Sequence, residues 1–150
     1  MDKDDVISTL NDLIEISRDG EEGFRTAAEH ARDSQLKSLF VNRADGCATS
    51  VRELQETVLT LGGQPASTSS MSGTLHRRWV DIKSVVTGRD DEAILTEVER
   101  GEDMAVNTYR KAVAKGLPSD LQNLVERQYQ GVLKNHDQVK QLRNQMRTNH

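Results

Sequence analysis

The chain has 150 residues, 24 of them acidic and 20 basic, with a formal net charge of −4, 35% hydrophobic side chains and a single cysteine. One domain of this length buries roughly 70% of its unfolded surface, so a core without covalent staples is expected. Cys47 alone excludes an internal disulfide, and one tryptophan, two tyrosines and two phenylalanines among interleaved charges exclude nucleic acid as the main partner.

Apolar residues recur every three or four positions without period-two alternation, which predicts amphipathic helices and no strands. The first helix is predicted over 4–31, with Val6, Leu10, Leu13, Ser17, Gly20, Phe24, Ala27 and Ala31 inward as a bundle seam. The second, over 34–61, turns Leu36, Phe40, Arg43, Cys47, Ser50 or Val51, Leu54, Val58 and Leu61 to one face and stops at Gly62, where a left-handed cap is cheapest. The short Asp33-Ser34 turn makes these two an antiparallel pair. Residues 62–70, rich in Gly, Ser and Pro, read as a loop. A shorter helix follows over 73–87, with Leu75, Trp79, Ile82 and Val86 as one stripe flanked by His76, Arg77 and Arg78. The next runs over 90–115, with Asp90 and Asp91 as candidate caps, and carries Ile94, Val98, Gly101, Glu102, Ala105, Tyr109 and Ala112 inward before Gly116 ends it. The last is predicted over 119–147, with Pro118 at its threshold, Ser119 as N-cap, and Leu121, Val125, Tyr129, Val132, His136, Val139 and Met146 inward.

Helices of about 28 residues are about 42 Å tall, a height that residues 62–89 can recross. An internal repeat supports two related hairpins. Arg18-Asp19-Gly20-Glu21-Glu22 is echoed by Glu99-Arg100-Gly101-Glu102-Asp103, and Ser34-Gln35-Leu36 by Ser119-Asp120-Leu121. The predicted plan is one all-α domain over 1–150: hairpin 4–61, crossover 62–89 and hairpin 90–147, the plan of a ferritin-like four-helix bundle.

Several separated motifs carry a family resemblance: Asp19-Gly20-Glu21-Glu22-Gly23-Phe24-Arg25, Leu75-His76-Arg77-Arg78-Trp79-Val80, Glu99-Arg100-Gly101-Glu102-Asp103, Glu126-Arg127-Gln128-Tyr129 and Asn135-His136-Asp137. Over 4–147 the chain closely resembles a bacterial family of uncharacterised ferritin-like four-helix-bundle proteins, a domain of unknown function. The resemblance implies the ferritin-like fold and a stress or storage context. It also implies a superfamily whose working members hold two metal ions between a Glu on each of two helices and a Glu-x-x-His on each of the other two.

Against that ligand set, Glu21 and Glu102 occupy matching places in the repeat and His136 faces inward. The second helix offers only Cys47-x-x-Ser50 at the expected height, Leu133 stands three before His136, and Glu126 is followed by Tyr129. Two readings stay open. Arg43 could neutralise Glu21 or Glu102 as a buried ion pair. Alternatively Glu21, Glu102 and His136 could be a remnant site for iron or manganese. His136 reads either as a core histidine bonded to Tyr129, Gln128 or a carboxylate, or as a ligand. Cys47 reads as a small buried hydrophobe or as a reactive thiol. Glu99, Asp103 and Glu126 read as solvated helix surface supporting nearby arginines.

No phosphate loop, HExxH motif or nucleophile arrangement occurs. His76, Arg77 and Arg78 form either an anion patch or a solvated face. No stretch reaches a membrane span, and Met1-Asp2-Lys3-Asp4-Asp5 is too acidic for a signal peptide, so a cytoplasmic location is expected, with neither membrane nor nucleic acid as partner. The sequence therefore predicts a structural or interaction protein rather than an enzyme, with no cofactor. The alternative is a metal-binding or oxidase protein. Leu75, Trp79 and Ile82 either pack on the bundle or meet a second copy, and a homodimer is the expected assembly.

Overall fold

The computed structural model describes residues 2–66 and 91–148. They form four helices and no strand: α1, Lys3–His30; α2, Ser34–Thr60; α3, Asp91–Ala114; and α4, Ser119–Thr148. The helix predicted over 73–87, with Leu75, Trp79 and Ile82, lies outside the described residues.

Each boundary has a local cause. The Asp2 carboxylate caps α1 by accepting from the Asp5 N–H at 2.9 Å, and Asp33 caps α2 by accepting from the Gln35 N–H at 2.8 Å. Gly62, at φ +80°, ends α2, and the Gly63 N–H reaches back to the Val58 carbonyl at 2.9 Å. Gly116, at φ +74°, ends α3. A left-handed turn of this kind is where glycine carries least strain. Asp91 is the first residue of α3, yet its carboxylate serves another element. It accepts from the Arg32 and Asp33 N–H groups at 2.9 and 3.0 Å, pinning the turn between α1 and α2. Ser119 is likewise already helical, and the Pro118 carbonyl takes the first α4 bond, from the Gln122 N–H.

Every neighbouring pair is antiparallel. Arg25 meets Asp45 between α1 and α2, Arg143 meets Glu99 between α4 and α3, and Lys115 reaches Thr9 between α3 and α1. It follows that α2 and α3 run the same way. A Cβ on Gly62, past the end of α2, would meet Lys3, whereas α3 begins on the opposite turn at Arg32 and Asp33. The end of α2 and the start of α3 therefore lie at opposite ends of the bundle, as the ferritin-like plan requires.

The apolar core is in two parts. One gathers Phe24, Leu36, Phe40, Ile94, Leu95, Val98 and Val139, with the Phe24 and Phe40 rings 6.2 Å apart. The other gathers Leu10, Leu13, Ile14, Leu54, Val58, Tyr109 and Val125. All eight α1 positions predicted to face inward are buried. Between the two parts, every helix contributes small or polar residues: Ser17 and Gly20, Cys47 and Ser50, Gly101 and Glu102, Gln128 and His136. This middle layer is the place to look for function.

Candidate functional site

A chain of hydrogen bonds crosses the middle layer. The Ser17 Oγ lies 3.3 Å from the Tyr109 hydroxyl, which donates to the Gln128 Oε1 at 2.8 Å. The Gln128 Nε2 donates to the Glu53 Oε1 at 3.0 Å, and Arg127 donates to the other Glu53 oxygen at 2.9 Å. One polar thread thus joins α1, α3, α4 and α2. Burial pushes the Tyr109 hydroxyl well above its ordinary range, so it remains a neutral donor. Burial also works against the Glu53 charge, but the hydrogen bonds from Arg127 and Gln128 outweigh it and hold that carboxyl below its usual range.

Glu102 lies beside this thread at 4% exposure, and its Oε1 has no hydrogen-bond partner. Burial pushes its carboxyl up to about 8; the Arg43 charge opposes the shift, and the Asp103 and Glu99 charges add to it. At neutral pH it is therefore mostly a carboxylic acid. Cys47 packs near it. Burial, then the Glu102 and Glu21 charges, push that thiol up to about 12, so it stays protonated and is a poor nucleophile. A Cβ on Gly20 would stand 3.1 Å from the Cys47 Sγ, which is why α1 carries glycine where α2 approaches.

The structure distributes the residues singled out from sequence. Glu21 turns to the flank of α1, held by Arg25 at 2.9 Å, and Arg25 also reaches Asp45. Arg43 is within Coulombic reach of Glu102 but forms no ion pair with it; its Nη2 donates to Gln138 at 2.7 Å. Tyr129 is half-buried against the core part that contains Leu10, Leu54 and Val125, and the polar place in the layer belongs to its neighbour Gln128. His136 meets a carboxylate, Asp103, at 2.5 Å.

Glu99 is not solvated surface. Its side chain is 14% exposed and takes Arg143 from α4 at 2.6 Å. Glu99, Asp103 and His136 bring one ligand-type atom each within 4.8 Å of one another, a grouping built from an i, i+4 pair on α3 and the facing histidine on α4. Sequence spacing shows the pair, but only the α3 to α4 register adds the histidine.

A two-metal centre needs ionised carboxylates from two helices and a carboxylate with an imidazole from each of the others. The middle layer offers one protonated carboxyl, the Glu53 carboxylate already held by Arg127 and Gln128, a thiol, a carboxamide and a nearby guanidinium, while Glu21 is held by Arg25 and His136 by Asp103. These residues do not fit two metal ions. What the layer encloses is a cavity of about 460 Å³. It opens along the edge between α2 and α4, which are bridged by Arg43 to Gln138 and by Arg127 and Gln128 to Glu53.

The profile of a domain of unknown function, DUF2383, matches residues 5–115 of the chain. The chain belongs to this family. No curated protein matches the DUF2383 chain. A search of solved structures places it beside a two-domain protein from Anabaena variabilis that contains DJ-1/ThiJ/PfpI-like and ferritin-like domains. The two share 18% sequence identity with a TM-score of 0.79 over 97% of the DUF2383 chain, which spans 41% of the Anabaena protein's length. At that identity the likeness establishes the ferritin-like fold of the DUF2383 bundle and nothing about chemistry. No described helix is long and apolar enough to cross a membrane.

Proposed function

We propose that this protein is a non-enzymatic binding bundle, in which the middle of a ferritin-like fold has given up the two-metal centre. One observation carries the reading: the buried carboxyl of that layer, Glu102, joins no group of three ligand-type side chains among the described residues, and burial pushes it up to about 8. A carboxyl protonated at neutral pH must lose its proton before it can ligate, a cost that the Arg43 charge does not remove.

Elemental analysis of protein purified without chelators, followed by an aerobic Fe(II) titration, tests this. Metal-free protein that oxidises Fe(II) no faster than buffer is expected. Near-stoichiometric iron or manganese with accelerated oxidation would overturn the reading.

A second reading rests on the grouping of Glu99, Asp103 and His136, whose ligand atoms lie within 4.8 Å. A single divalent ion there would have to displace Arg143 from Glu99 and the His136 to Asp103 contact. Under it, manganese or iron binds at one equivalent and His136→Ala abolishes binding while Glu102→Gln does not. The homodimer read from Leu75, Trp79 and Ile82 belongs to the same proposal of an interaction protein, and sedimentation of Trp79→Ala tests it: the variant should be monomeric and folded.

A further inference from the structure

We propose that the exposed flank of α2 is a homodimer interface, on which a second copy of this chain lays the same flank antiparallel about a twofold axis. The inference rests on the reading above of an interaction protein and names the face by which two copies meet.

Among the described residues two large apolar side chains stand exposed, Val41 at 45% and Leu59 at 62%. Both are on α2, about five turns and about 27 Å apart, and therefore on one line of its surface. Asp45, Ala48, Arg52 and Gln55 fall between them at spacings of four and three, on a flank beside the core-filling Phe40, Ala44, Leu54 and Val58. The side of α2 turned to α4 is a different one, marked by Arg43 and Glu53. Packing within one copy does not explain the line. Valine is among the poorer helix formers, so a mid-helix Val41 gains from neither propensity nor burial while the flank is open to water.

A single exposed apolar residue is ordinary. What singles this flank out is that it complements itself. Asp45 and Arg52 are about two turns apart, too far to pair along one helix. The Asp45 carboxylate touches Arg25 at 3.3 Å and is otherwise largely in water, at 66% exposure. The Arg52 guanidinium donates to the Thr49 hydroxyl at 3.1 Å and meets no carboxylate among the described residues. Place a second α2 antiparallel on the first, with Val41 against the partner's Leu59. Ala48 then faces the partner's Arg52, and Asp45, one turn farther on, comes within reach of that guanidinium across the small Ala48 side chain. A twofold axis makes every contact twice, which gives two apolar and two charged contacts from one helix flank. The charged pair fixes the register and favours a second copy over an unrelated helix, which would need the same order of apolar, acidic, small, basic and apolar residues.

The test is sedimentation velocity of the full-length protein up to about 100 μM, since one helix flank per copy is a small interface with an expected Kd in the micromolar range. Wild type is expected to dimerise reversibly. Leu59→Glu, Arg52→Glu and Asp45→Arg should each weaken the dimer about tenfold or more, with the helical circular-dichroism spectrum unchanged because all three sites are exposed. Mixed in equal amounts, Asp45→Arg and Arg52→Glu should associate as a heterodimer to within about threefold of wild type, because each arginine then faces an acid. If Asp45→Arg does not fold, Val41→Glu mixed with Leu59→Lys makes the same test on the apolar contact. Wild type that stays monomeric, a dimer that ignores these variants, or single variants that weaken it without mutual rescue would each overturn the proposal. A dimer that persists in Trp79→Ala yet dissociates in Leu59→Glu refutes the Trp79 reading alone, and the converse refutes this inference alone. A metal-loaded, Fe(II)-oxidising protein refutes the non-enzymatic reading, whichever way the copies associate.

Discussion

Replacing Glu102 by Gln should change how stability depends on pH more than it changes stability at any one pH. The carboxyl is 4% exposed and burial pushes it up to about 8, whereas in the unfolded chain a glutamate titrates near about 4.3. Between those values the folded protein keeps a proton that the unfolded chain releases. The unfolded state then binds fewer protons, so stability falls as pH rises through the window and levels off above about 8. The shift is worth about 3 kcal/mol between pH 5 and pH 8.

The groups acting on Glu102 are Arg43, opposing the shift, and Asp103 and Glu99, adding to it, with Cys47 packed beside it and Lys134 across the cavity on α4. All of them are shared by wild type and variant, so subtracting one urea-denaturation curve from the other isolates Glu102. The gap between the two proteins should widen by about 3 kcal/mol in favour of Glu102→Gln from pH 5 to pH 8, a midpoint difference of about 1–2 M urea. Curves that stay parallel across this range would show that Glu102 is ionised in the folded protein, and the argument for a neutral middle layer would fail.

Other perturbations probe the same layer and its frame. Tyr109→Phe removes the hydroxyl between Ser17 and Gln128, leaving the Gln128 Oε1 without its donor, and should cost about 1–3 kcal/mol in urea denaturation. Gly20→Ala should stabilise the protein by about 1 kcal/mol when Cys47 is alanine but gain less in wild type, where the new methyl stands 3.1 Å from the thiol; a double-mutant cycle measures this coupling. Asp91→Ala strips the two amides of the α1 to α2 turn of their acceptor and should lower stability by about 1–2 kcal/mol, with hydrogen exchange at Arg32 and Asp33 accelerating first.

The helices were legible because their causes are local. Apolar spacing and the glycines at 62 and 116 predict 34–61 and 90–115, and the structure has Ser34–Thr60 and Asp91–Ala114. The inward faces follow from the same period, down to Ser17 and Gly20 in the middle of α1. What spacing cannot carry is the competition among partners for a charged group. Glu21 sits on the inner shoulder of its helix by period, yet Arg25 is one turn away and draws it to the flank. Arg43 faces the layer as expected, but the long guanidinium stem lets it reach Gln138 on α4. Asp91 has the sequence position of a cap, and its acceptor role appears only once the far turn is brought to it. Gln128 is masked in the sequence by Tyr129 beside it, although it stands three residues after Val125 and therefore on the inward face.

The polar thread from Ser17 through Tyr109 and Gln128 to Glu53 and Arg127 has a bearing on what the chain can become. Apolar seams of similar residues tolerate sliding: one helix displaced by a turn, 5.4 Å, still finds leucines opposite valines. A thread with a member on every helix does not, because whichever helix slips is separated from its partners in the thread. The two core clusters supply adhesion that is nearly indifferent to axial position, and the thread supplies the alignment, as single polar positions do in coiled coils. Substituting the whole thread by apolar residues of matching volume would leave a bundle that holds together in more than one arrangement.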